Sequence, residues 1–264
     1  MNIVVCIKQV PDTMDVRIDP KTNTLVRDGV PSILNPFDEF ALEEGLRIRE
    51  RFGGTVTAVT MGPPQASEIL RTALGMGVDA VRLLSDRAFA GSDTLATSYT
   101  LSRAIVKLGG GVDLVIAGKQ AIDGDTAQVG PGIAARLGFT QFTYVSKVET
   151  LDNGRGTITV ERLLDGGRER VEGTLPALLT VVKGINVPRQ PSILKMKKAR
   201  TAEIPVWTAA DIGADPSQIG QNGSPTWVER IFSPEQKTGG EVFTGEPDEV
   251  AGWIVKLLLE LMAK

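Results

Sequence analysis

The stretch GKQAIDGDTAQVGP (residues 118–131) follows directly on the apolar run DLVIA (113–117). An apolar strand that passes into a glycine-bearing turn and then a helix can hold a phosphate on backbone N–H groups and the helix dipole. Two aspartates, Asp123 and Asp125, occupy the same turn, where an anion would meet like charge. Asp125, followed three residues later by Gln128, approximates a capping box, which would turn that carboxylate toward amides of its own helix. The N–H groups around Gly124, Thr126, Gln128 and Val129 then remain for an anion. Gly130 would permit its close approach, and Asp123 could take ribose hydroxyls. Pro131 conflicts with this reading, because beyond the first turn it deletes a helix bond and frees the carbonyl of Ala127. A plain loop and capped helix without a ligand is the alternative.

Other chemistry is limited by what the chain lacks. It contains no histidine, which removes the commonest general base and metal ligand and every Ser-His or Cys-His nucleophile. A single cysteine, Cys6, excludes an internal disulfide, a CxxC pair and a self-contained iron-sulfur site. Within the first apolar run a cysteine is ordinarily core. No catalytic side chain and no metal site is expected, so difficult chemistry would need a borrowed cofactor. GMGVDA (75–80) fits a dinucleotide fingerprint only on paper, since it follows a helix and precedes a strand. GVDLVIAGKQ (111–120) fails as a phosphate loop at Asp113 and again at Gln120.

The elements that must position the loop are legible in the apolar pattern. NIVVCIK (2–8), TVTAVTM (55–61), AVRLL (80–84) and DLVIA are short runs rich in β-branched residues. Segments with helical spacing lie between them, at 37–52, 65–74 and 93–108. This alternation predicts an α/β fold, a doubly wound parallel sheet whose ligands gather at the carboxyl ends of the strands. After Leu137 the runs QFTYVSKVET, GTITVERLL, RERVEGTL and ALLTVVKG, separated by LDNG and LDGGR, predict an antiparallel excursion. From 186 the proline, lysine and glycine content reads as an extended arm as far as 245. It contains KMKKAR (195–200), preceded by Ile193 and Leu194, apolar residues suited to docking a partner. The segment 246–264 is a helix with Val250, Trp253, Ile254, Leu257, Leu258, Leu261 and Met262 on one face, a stripe that must be buried on something.

The 264 residues are 42% hydrophobic and 23% charged, with a net charge of -3, which gives nucleic acid no electrostatic foothold. No apolar run approaches a membrane span, and MNIVVCIKQV has no signal-peptide character, so a soluble cytoplasmic protein without membrane insertion is expected.

The block VERLLDGGRERVEGTLPALLT (160–180), together with NPFDE (35–39), TALGMG (72–77) and the 118–131 loop, resembles the β subunits of electron transfer flavoproteins along essentially the whole chain. The resemblance implies a Rossmann-like, adenine-nucleotide α-hydrolase-like domain over 1–185, a partner-recognition loop and arm over 186–245, and a terminal helix that packs on an α subunit. It implies a heterodimer whose α subunit carries an FAD. The β chain's own nucleotide site would use Cys6, Asn35, Pro36, Phe37, Asp38 and Met61. The loop would add Gln120, Ala121, Ile122, Asp123, Gly124, Asp125, Thr126, Ala127, Gln128, Val129, Gly130 and Pro131. Ile193 and Leu194 would recognise an acyl-CoA dehydrogenase or a quinone-linked oxidoreductase. Some members hold AMP in the β site as a structural ligand. Bifurcating and nitrogen-fixation-like members hold a second FAD that takes hydride from NADH and sends one electron to ferredoxin or flavodoxin. DGDTAQVGP is similar to the second group, so a β-site FAD is expected, with AMP as the alternative.

Overall fold

A computed structural model describes residues 1–12, 31–229, 240 and 242–263. They fall into two units, Met1–Arg230 and Ile231–Lys264. In the first, strand and helix alternate as β1 (Asn2–Cys6), β2 (Gln9–Pro11), β3 (Ser32–Leu34), α1 (Pro36–Phe52), β4 (Thr55–Met61), α2 (Ser67–Met76), β5 (Ala80–Leu84), α3 (Thr94–Leu108), β6 (Leu114–Gly118) and α4 (Val129–Leu137). The antiparallel strands β7 (Thr140–Asp152), β8 (Thr157–Leu164) and β9 (Gly167–Thr174) come next. They are followed by β10 (Ala177–Val181), α5 (Ile193–Thr201) and β11 (Val206–Trp207). The second unit holds α6 (Pro247–Met262).

Nine strands form one sheet in the order β11-β5-β4-β1-β6-β10-β7-β8-β9, and β2 and β3 pair separately. Every pairing from β11 to β7 is parallel, and only β7 with β8 and β8 with β9 are antiparallel. The excursion is therefore shorter than the pattern predicts. ALLTVVKG does not extend it, because β10 returns to the parallel sheet between β6 and β7. A strand buried on both faces is continuously apolar, and that run looks the same in either setting.

Period-two alternation explains the two cores. In β1, Ile3 and Val5 face α1 and α2, where they join Leu42, Leu46 and Leu70. Val4 and Cys6 face α3 and α4 with Ala104, Ile105 and Ile133. On β7, Phe142 is 2% exposed. The glycine at 173 on β9 makes room for it, since a Cβ there would lie 2.8 Å from the ring. Arg162 of β8 ties the excursion together by donating to the Thr143 carbonyl and hydroxyl, each at 2.7 Å, and to Glu169.

The segment read as an arm from 186 stays with the sheet as far as it is described in this unit. Lysine-rich KMKKAR belongs to α5, which lies on α2: Met196 fills the space over Gly75, and Arg71 donates to the Ala199 and Ala202 carbonyls at 2.5 and 2.9 Å. Strand β11 adds to the sheet beside β5. Residues 230–239 and 241 of the predicted arm lie outside the described residues. In the second unit, Glu246 and Glu249 form a capping box at the start of α6, and Phe243 stacks on Trp253 at 5.3 Å. None of the residues of α6 is buried. No described helix is long and apolar enough to cross a membrane.

Truncating Phe142 to alanine should destabilise the first unit by about 3–5 kcal/mol, read as an earlier midpoint in urea unfolding. An unchanged midpoint would show that β7 is not part of the cooperative core.

Candidate functional site

The winding order reverses at β1, which has β4 on one side and β6 on the other. Crevices in open α/β sheets form at such a point. The amino end of α1 fastens it. Asp38 accepts the Lys8 N–H at 2.7 Å and the Gly118 N–H at 3.1 Å, so one carboxylate joins the ends of β1 and β6. The Asn35 N–H donates to the Lys8 carbonyl at 2.9 Å. Its side chain donates to the Gln120 carbonyl at 2.9 Å and accepts the Ile122 N–H at 3.2 Å. Both side chains are buried. Gly118 is required here, because a Cβ would fall 2.4 Å from the Asp38 carboxylate and 2.6 Å from Phe37 Cβ.

Burial raises the Asp38 carboxyl to about 7, against the opposing hydrogen bonds from Asn35, Lys8 and Gly118 and the charge of Lys8. Burial, and then the charge of Asp38, pushes the Cys6 thiol up to about 12. Cys6 packs in the second core, which matches the reading of its setting.

Beyond Ile122 the loop departs from the predicted capping box. Asp125 and Ala127 are left-handed, with φ 52° and 55°. A left-handed alanine costs roughly 1–2 kcal/mol, and such strain persists only where surrounding contacts impose it. Helix α4 begins at Val129 with Gln128 in the cap position, and no side chain caps it. Asp125 accepts from the Gln120 amide instead. Gln128 accepts the Thr94 hydroxyl at 2.7 Å, which links α4 to the first residue of α3. This later start removes the difficulty with Pro131. The proline lies in the first turn, where its missing N–H had no helical partner to lose.

Asp123 receives the Lys8 ammonium on both oxygens, at 2.7 and 2.8 Å. With both carboxylates engaged, the N–H groups of Thr126, Ala127, Gln128, Val129 and Gly130 donate to no acceptor among the described residues. Left-handed Ala127 followed by right-handed Gln128 is the alternation that gathers successive N–H groups into an anion-binding concavity. Gly124 has open space where a side chain would be. Gly130 serves a purpose other than ligand approach: a Cβ there would sit 2.4 Å from Thr180 Cγ2, so its absence lets α4 pack on β10.

Several contributors escaped the sequence reading. Lys8 is one, and its only signal was its place just past a strand end. Lys119 is another, with its ammonium 5.4 Å from the Phe37 ring and 5.2 Å from the Tyr144 ring. Tyr144 is at a bulge with φ 57°, and its N–H turns to the Thr180 hydroxyl at 3.2 Å. Pro36 begins α1, and Met61 ends β4, half-buried against the second core. Ala121 accepts the turn N–H groups of Gly124 and Asp125, at 3.3 and 2.9 Å.

Ile193 and Leu194 open α5 and are 88% and 75% exposed. The approach to α5 is pinned to α1 by Arg189 on Glu43 at 2.7 Å and on Glu50 at 2.5 Å. Two cavities, of about 530 and 370 Å³, lie against α5 and against residues 217–225, and neither is lined by the 118–131 loop. Residues 122–126 and 128 of the loop are exposed. Among the described residues, no group of three or more thiol or carboxylate side chains is placed to hold a metal ion.

Gly130→Ala should destabilise by about 1–3 kcal/mol through overpacking, and Thr180→Ser, which removes the offending methyl and keeps the hydroxyl, should restore most of the loss in urea unfolding. Folded Asp38 keeps its proton to higher pH than the unfolded chain, so its contribution to stability is full below about 3.8 and lost as pH rises through about 7. The stability of the wild type relative to Asp38→Asn should therefore fall across that window and level off above it. A flat difference would place the carboxyl at its ordinary value.

Comparison with known proteins agrees with this architecture. The chain matches the electron transfer flavoprotein domain over residues 22–212. It is 51% identical over 260 residues to the electron transfer flavoprotein subunit beta of Clostridium acetobutylicum, with 98% of each chain covered. It is 53% identical over 244 residues to the protein FixA of Sinorhizobium fredii, covering 90% of this chain and 86% of that one. To the caffeyl-CoA reductase-Etf complex subunit CarD of Acetobacterium woodii it is 53% identical over 262 residues, with 98% of each covered. The chain belongs to the electron transfer flavoprotein family, on the side of its β subunits and FixA proteins.

Proposed function

We propose that this chain is the β subunit of a heterodimeric electron transfer flavoprotein and holds the pyrophosphate of its own FAD on the amides of residues 126–130. One observation carries the reading: among the described residues, five successive N–H groups at the strand switch have no acceptor, while both neighbouring aspartates are already engaged. A bound flavin would supply hydride acceptance from NADH and the division of electrons between ferredoxin or flavodoxin and the α-subunit FAD. The chain's own part is to hold and orient it. The Asp38 and Asn35 clamp sets the loop against the ends of β1 and β6. Phe37 offers an aromatic edge beside Lys119.

Partner binding follows the same reasoning. The unburied apolar face of α6 supports docking on the α subunit. The exposed Ile193 and Leu194 support a transient contact with an acyl-CoA dehydrogenase or a quinone-linked oxidoreductase. The name of the Acetobacterium woodii relative, a caffeyl-CoA reductase-Etf complex subunit, is consistent with the first of these.

Purification with the α subunit, followed by extraction and counting of cofactors, tests the proposal. Two FAD per heterodimer and no AMP is the expected result. One FAD with one AMP would leave the phosphate cradle in place but make its ligand structural, and a β site without any nucleotide would overturn the reading.

A further inference from the structure

Asp123 is three residues from Thr126, a chain reach of at most about 10 Å. That is near one Debye length at physiological salt, so its charge acts on any phosphate held by the 126–130 amides. The carboxylate is not left alone. Lys8 donates to both of its oxygens, at 2.7 and 2.8 Å, across 115 residues of sequence. The lysine is placed from its own backbone, with its N–H on Asp38 at 2.7 Å and its carbonyl accepting from Asn35 at 2.9 Å. Among the described residues no other cation pairs with Asp123. Lys119, another cation on this rim, lies between two aromatic rings.

We infer that Lys8 is a specificity-determining residue that makes the loop permissive to phosphate by cancelling the charge of Asp123. This rests on the nucleotide reading of the same loop and deepens it. If Lys8 screens rather than contacts the ligand, its effect must scale with ligand charge and must vanish when Asp123 carries no charge. A cation that binds phosphate directly would instead be missed whatever stands at 123.

The test is a double-variant cycle on the full chain purified with its α subunit and stripped of nucleotide. Binding of adenosine, AMP and ADP is measured by calorimetry at low and high salt. Lys8→Met should weaken AMP about tenfold and ADP more, leave adenosine within about twofold, and lose much of its effect at high salt. Asp123→Asn alone should tighten AMP several-fold. The pair together should return AMP to within about threefold of wild type. Equal losses for adenosine and AMP would reduce Lys8 to a structural role. A double variant as weak as Lys8→Met would make it a direct phosphate ligand. Either result overturns the screening inference while leaving the nucleotide site standing. Failure of the unaltered complex to bind AMP, ADP or FAD would remove the nucleotide reading, and the inference with it.

Discussion

The buried carboxylate of Asp38 is the constraint on which the site depends. At the strand switch, the Lys8 N–H, two residues past β1, and the N–H of Gly118, the last residue of β6, both lie in partly buried surroundings, where an unpaired amide costs about 1–3 kcal/mol. One side chain accepts both. Because it enters from the first turn of α1, the helix is fixed against both strand ends at once, and Asn35 beside it carries the same restraint to Gln120 and Ile122. The loop after β6 therefore starts from a defined place.

That fixed start explains how both aspartates of the loop come to be engaged within the chain. Asp125 is turned back onto Gln120 and Asp123 is covered by Lys8, so neither carboxylate uses the amides of residues 126–130. Left-handed backbone at Asp125 and Ala127 is the local cost of this arrangement. Glycine at 118 and 130 answers close packing, against Asp38 and Phe37 in one case and Thr180 in the other, so these positions are conditions of the scaffold.

The exposed apolar residues divide by unit. In the first, Ile193 and Leu194 open a short basic helix that Arg189, Glu43 and Glu50 anchor to α1 through charge-assisted hydrogen bonds. This mount leaves two apolar side chains projecting from the surface. In the second, α6 carries an apolar stripe, and none of its described residues is buried. Both fit a chain that works in an assembly, as its place among subunits of electron transfer flavoproteins requires.

Much of the fold was legible because hydrophobic period and turn chemistry are local. The runs at 2–8, 55–61, 80–84 and 113–117 became β1, β4, β5 and β6, and the helices between them fell within a few residues of their predicted spans. The polar, glycine-bearing turn between β6 and α4 was also visible. What could not be read was every feature set by which segments become neighbours. An apolar run does not say whether it will lie parallel, so β10 was misassigned. The lysines of α5 mask a helix held by Gly75 and Arg71 from a distant segment. The sequence by itself determined the elements and the polar loop, whereas only the tertiary structure decided which charge meets which. Lys8 reaches Asp123 and Asp38 reaches Gly118 because β1 and β6 are paired. No local preference encodes a pairing between residues roughly a hundred positions apart.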